Sequence, residues 1–199
     1  MRIVEDITAL EALYEPPVPI ALTKVTTRLT PLYRRWIEAA RFCVLATVGP
    51  EGTDASPRGD DGPVLRIIDD RTLWLPDWRG NNRLDCLRNI VTDGRVSLMV
   101  MVPGSLNVIR VNARAVVSDD PAVTQSFEQQ GKHPKTVVVI TVGEVYFQCA
   151  KAVMRAGLWT RDDSAGLPSA GDCIKEQQAE FDAETYDQTY PTEAPKRMW

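Results

Sequence analysis

The residues of this chain best suited to chemistry lie between Pro76 and Ile90, where Arg79 and Arg83 flank Gly80-Asn81-Asn82. A guanidinium presents a rigid fork of donors that grips two oxygens of a phosphate or carboxylate. Leu84, Leu87 and Val91 recur just beyond at helical spacing, with Ile90 beside them. The two arginines therefore flank a predicted helix start, whose first N–H groups lack internal partners and carry partial positive charge. Asn81 or Asn82 is predicted to cap that helix, and Gly80 to let the backbone turn just before it. The pattern reads as a phosphate cradle, and it reads also as a capped helix start with solvated charges. Spacing alone leaves both open. The Lys-Ser/Thr ending of a nucleoside-triphosphate loop and the glycine triplet of a dinucleotide fingerprint are both absent.

Other chemistries find less support. Cys43, Cys86, Cys149 and Cys173 are dispersed without a Cys-x-x-Cys pair, and His133 is the single histidine. That disfavours zinc ligation, dithiol redox chemistry and Ser-His-Asp or Cys-His hydrolysis. Lys and Arg total 23 against 27 Asp and Glu, a net charge of −4, which argues against sequence-independent nucleic-acid binding. No apolar run has the length of a membrane span, and the N-terminus lacks the apolar core of a signal peptide, so a cytosolic protein is expected.

The elements that must position these residues can be read in outline. A chain of 199 residues buries roughly 70% of its unfolded surface, enough for one substantial core. Residues 1–40 form a predicted helical extension: Asp6 to Tyr14, stopped by prolines, then Leu32 to Ala40 with Pro31 at its favoured first position. Residues 41–160 carry the strand signals. These are Phe42 to Val48, a polar extended run from Asp54 to Arg58, Val64 to Ile68, Thr72 to Leu75, Val96 to Val102, Val108 to Val117, and Thr136 to Phe147 with a bulge at Gly143-Glu144. Short helices are expected at Pro121 to Gln130 and Ala150 to Leu158. About six strands joined mostly by turns predict a mainly β, α+β architecture with an antiparallel barrel. Residues 161–199 read as a Ser/Pro/Gly loop, a polar helix from Asp172 to Glu184 and an irregular tail, packed on the barrel or on a partner subunit.

In order, Phe42 to Thr47, Ala55 to Asp60, Leu75 to Arg83, Asp85 to Ile90, Pro103-Gly104, Ile109 to Ala115 and Val145 to Ala152 resemble the FMN-binding split-barrel family of pyridoxamine 5'-phosphate oxidase. The match is to its oxidase-related branch of uncertain substrate and covers most of residues 40–160. The resemblance implies a six-stranded antiparallel split β-barrel with peripheral helices. It also implies a homodimer that holds flavin mononucleotide in clefts between subunits. By position, Ser56, Pro57, Arg58 and Gly59 match the strand beside the phosphate and ring, and Leu75, Pro76 and Asp77 the strand running along the flavin. Arg79, Gly80, Asn81, Asn82 and Arg83 match the phosphate loop, with Arg83 where the oxidases usually carry Lys. Arg110, Gln148, Lys151 and Trp159 are candidates to approach from the facing subunit, and Arg155 is read as an ion-pair partner instead.

The chain departs from the vitamin B6 oxidases at the substrate end. Their Arg-x-His signature has no counterpart in Lys196-Arg197-Met198-Trp199. The resemblance therefore implies flavin binding, with a small-molecule substrate or an electron donor such as NAD(P)H, and not pyridoxamine phosphate oxidation. Catalytic residues stay unassigned, since a flavin itself performs the redox step. The alternatives are a non-catalytic flavin carrier or sensor, a deazaflavin protein, or a haem protein with His133 as its sole imidazole.

Overall fold

The computed structural model describes residues 1–199. Three helices come first: α1 (Ile7–Glu11), α2 (Pro19–Thr23) and α3 (Pro31–Ala39). Strands β1 (Phe42–Gly49), β2 (Gly52–Gly59), β3 (Arg66–Ile67) and β4 (Thr72–Asp77) lead into α4 (Asp85–Thr92). Next come β5 (Arg95–Met101), β6 (Val108–Ser118), α5 (Pro121–Thr124) and β7 (Thr136–Gln148). Helices α6 (Lys151–Ala156), α7 (Ala170–Gln177), α8 (Ala183–Glu193) and a final 3-10 turn (Pro195–Arg197) complete the chain.

Side-chain alternation builds the sheet. Cys43 and Leu45 of β1, Val96, Leu98 and Val100 of β5, and Ile109 and Val111 of β6 point into one core with Leu73, Leu75, Val138 and Ile140. The strands are antiparallel in the order β2-β1-β5-β6-β7-β4-β3. This corrects the expected six-stranded barrel, because there are seven strands and the hydrogen-bonded order has two free ends. The Val64 to Ile68 run read as a strand forms only a two-residue pairing, Arg66–Ile67, with β4. At one free end Pro57 in β2 has no N–H to offer a further strand. Side chains span the gap instead, through an ion pair between Arg58 and Asp77.

Other expectations meet mixed outcomes. The β6–β7 register shifts at Asn112/Ala113, opposite Glu144 and Val142, so Gly143 is the extra residue of the predicted bulge. A Cβ there would lie 3.2 Å from Asn112 O, which accounts for glycine. Thr30 caps α3 by accepting from the Tyr33 amide, and Pro31 occupies its first turn. The tail expected to be irregular contains α8, capped by Asp182, which accepts from the Thr185 amide at 3.1 Å. No helix is long and apolar enough to cross a membrane.

Candidate functional site

The loop from β4 to α4 is placed by two anchors. Asn89 of α4 donates to Thr47 Oγ1 on β1 at 3.1 Å, and the missing side chain of Gly49 makes room for Asn89. At the near end, Trp78 Nε1 donates to Asp60 Oδ2 at 2.7 Å, and Asp60 Oδ1 accepts from Gln129 at 3.0 Å. The indole is thereby fixed in orientation.

Between the anchors the chain turns differently from expectation. The cap position of α4 is Leu84, which supplies no side-chain hydrogen bond. Asn81 is no cap; its Oδ1 accepts from the Arg83 amide at 3.0 Å and closes a local turn. Asn82 is no cap either, and bends the chain at φ 60°, a left-handed conformation asparagine tolerates well. Gly80 has no positive φ. From Trp78 to Leu84, only the Arg83 amide donates to an acceptor within the chain. The other N–H groups of this arginine-bearing loop thus have no partner within the chain.

That loop forms one wall of a cleft of about 940 Å³. Ser56, Pro57, Arg58, Asp77, Arg79, Gly80, Asn81, Asn82 and Arg83 line it together, as grouped from the sequence. Gly59, Leu75 and Pro76 line an adjoining chamber of about 300 Å³, which shares Arg58, Trp78 and Arg79 with the cleft. Arg110, Gln148, Lys151 and Trp159 line neither. Arg110 lies over the Tyr146 ring, and Trp159 Nε1 donates to Ser105 O at 2.7 Å. Arg155 sits in the last turn of α6.

On the opposite wall only His133 was expected, as the imidazole of the haem alternative. Lys132, His133 and Lys135 enter the cleft from the loop before β7, and Tyr190 and Trp199 from the far end of the chain. Two lysines around the one histidine are a local basic signal that sequence reading could have weighed. Nothing local marks Tyr190 or Trp199, because a distant segment folds back to deliver them.

Charge is concentrated here. Arg58, Arg79, Arg83, Lys132 and Lys135 line the cleft against one carboxylate, Asp77, in a chain of net charge −4. Asp77 is itself paired with Arg58, whose Nε also donates to Ser56 Oγ at 3.2 Å. Arg83 Nε donates to Asp85 Oδ2 at 2.5 Å and holds its guanidinium largely in solvent. The arrangement concentrates cationic donors and presents no activated nucleophile. Burial, and then a hydrogen bond of 2.8 Å to Asp54 Oδ2, push the Cys86 thiol above its ordinary range. His133 Nδ1 donates to Phe127 O at 2.5 Å, which leaves Nε2 as the free ring nitrogen.

Residues 29–149 match the family model of pyridoxamine 5'-phosphate oxidase. No curated protein matches the chain. Among solved structures it is similar to HupZ of Group A Streptococcus, with 18% identity, 60% of this chain and 94% of that one covered, and a TM-score of 0.50. It is similar also to a provisionally named pyridoxamine 5'-phosphate oxidase of Lactobacillus delbrueckii, with 23% identity, coverage of 61% and 95%, and a TM-score of 0.48. An FMN-binding protein of Syntrophomonas wolfei shows 18% identity, coverage of 57% and 86%, and a TM-score of 0.42. At such identities the likeness to HupZ is one of fold.

Proposed function

The chain belongs to the pyridoxamine 5'-phosphate oxidase family, and on that premise we propose that it is an FMN-binding oxidoreductase acting on a small organic molecule. The observation that carries this reading is the cationic cleft in an acidic chain. Its donor set suits a phosphate monoester of nearly two negative charges. Arg79 and Arg83 offer forked donors, the free amides of the 78–84 loop offer more, and Lys132 and Lys135 face them across the opening. The strands carrying Ser56 to Gly59 and Leu75 to Asp77 border the cleft and its side chamber with both apolar and polar groups, a mixture suited to a ring with a polar edge. Asp77 and Ser56 hold the Arg58 guanidinium in place, so its charge is oriented before any ligand arrives. Bound flavin would supply hydride and electron transfer.

In this reading the site is shared. Met99 on β5 and Val116 on β6 leave apolar surface exposed on the outer face of the sheet, and Trp159 is partly exposed beyond β7, the surface a second copy would cover. Arg110, Gln148, Lys151 and Trp159 of that copy would then complete the cleft of a cytoplasmic homodimer. No histidine accompanies the tail residues Lys196 to Trp199, so a vitamin B6 phosphate is not the proposed substrate. Haem is the second reading. It is favoured by one observation, His133 in the cleft with Nδ1 tied to a carbonyl and Nε2 free, so that Nε2 is the atom that would hold the iron.

Mass identification of the small molecule that copurifies with the protein separates these readings. FMN supports the first, a deazaflavin or haem replaces it, and a colourless protein that takes up no flavin ends it. Arg83→Ala should weaken FMN binding roughly tenfold, the effect of one charge-assisted hydrogen bond. Unchanged affinity by fluorescence titration removes Arg83 from the phosphate site. NADH or NADPH added without oxygen then tests catalysis, because a carrier leaves its flavin oxidised.

A further inference from the structure

The residues beyond Trp159 form a unit that is tied more firmly to itself than to the sheet. Ser169 and Asp172 cap the start of α7 reciprocally, with bonds of 2.9 Å in each direction. The Gly171 amide donates to Asp187 Oδ1 at 3.0 Å, and a Cβ at Gly171 would meet Ala183 O at 2.7 Å. Helices α7 and α8 therefore touch at backbone distance. Phe181, just before α8, and Tyr186 and Tyr190 within it form a ladder of rings along that helix, with successive centroids 5.4 Å apart. The connection to the sheet, residues 160–168, is an exposed run of turns that includes Gly166 at φ 79°.

At its far end this hairpin returns to the cleft. Trp199 sets its ring edge-on to Trp78, with centroids 5.3 Å apart and planes at 82°. Its main-chain oxygen accepts from Lys132 Nζ at 3.1 Å. The indole pair thus joins Trp199 to the arginine-bearing wall, the lysine bond ties it to Lys132 on its own side, and Trp199 borders both the cleft and the side chamber.

We propose that the α7–α8 hairpin is a hinged cover of the cleft, latched by Trp199 on Trp78 and Lys132. The identity of the entering ligand rests on the flavin reading above, whereas the hinge rests on the hairpin's own contacts. A planar ring gains most by lying against an indole that is already fixed, and Trp78 is held by Asp60. Latch and ligand therefore compete for the same aromatic surface. The latch is the weaker party, since an edge-to-face pair and one exposed lysine bond are readily reversible. Residues 160–168 absorb the motion, because they carry no packed core.

Limited proteolysis of the ligand-free protein reads the hinge directly. Trp199→Ala and, separately, Lys132→Met should raise cleavage within 160–168 by roughly two- to tenfold, the weight of one edge-to-face aromatic pair. The midpoint of sheet unfolding should stay constant. Stopped-flow mixing with FMN should show a comparable rise in association rate for Trp199→Ala. Equal cleavage in wild type and both variants, or slower FMN association in Trp199→Ala, overturns the cover. Faster cleavage together with no FMN binding in any protein overturns the flavin reading and leaves the cover standing.

Discussion

Cys43 faces Arg58 across the β1–β2 ladder and is sealed from solvent. Burial pushes its thiol from an ordinary 9.0 up to about 12, with the Arg58 charge offsetting part of the rise. The unfolded chain releases this proton near pH 9.0, while the folded chain keeps it to about 12. In that window the folded state binds more protons, so stability present in full below pH 9 falls as pH rises, by up to about 1.4 kcal/mol per pH unit. Cys43→Ala should flatten that slope. Urea midpoints of both proteins at pH about 8 and about 10.5 check it, and parallel declines refute it. The same residues mark how far the site was legible. Arg79 and Arg83 stood out because forked cations near a helix start have a local meaning, whereas Arg58 entered only through the family resemblance. The Arg58–Asp77 pair did not stand out, because it joins β2 to β4 across 19 positions, and no local periodicity encodes that contact.

At the scale of elements, glycines and prolines decide where backbones approach and where ladders stop. Gly171 shows the first effect: a methyl group would press on Ala183 O and the Asp187 carboxylate. Gly171→Ala should cost the hairpin about 1–3 kcal/mol, as overpacking does. Hydrogen exchange should quicken in α7 and α8 while the β5 and β6 amides keep their protection, and uniform acceleration would show that hairpin and sheet unfold as one. Strands with alternating side chains, such as β1 and β5, were readable because the period fixes the buried face. The polar β2 was harder, being an edge strand with little core to fill. Helix α8 was missed because Pro191 lies inside it and threonines interrupt its apolar positions. What stabilises it is Asp182 at its cap and the ring contacts of Tyr186 and Tyr190. The open sheet was equally hidden, since closure depends on which distant edges meet and not on any one segment.

For the whole molecule, the proposed dimer turns on how charge would be shared between copies. One chain supplies a cationic wall and a floor, yet Arg110, Gln148, Lys151 and Trp159 lie outside that cleft. In a two-fold dimer each site would take the Arg79–Arg83 loop from one copy and Arg110 from the other. Two defects in different walls then become separable. Arg83→Ala and Arg110→Ala homodimers each carry the same damage at both sites. A heterodimer of the two concentrates both defects in one site and leaves the other intact. Co-expression with random pairing should therefore restore tight FMN binding at about a quarter of all sites, since half the dimers are mixed and half their sites are whole. Titration of bound flavin against protein, with mass in solution measured in parallel, gives that fraction. A monomeric particle, or a mixture that binds no better than its parents, would place Arg110 outside the site and leave the cleft to be completed by one chain alone.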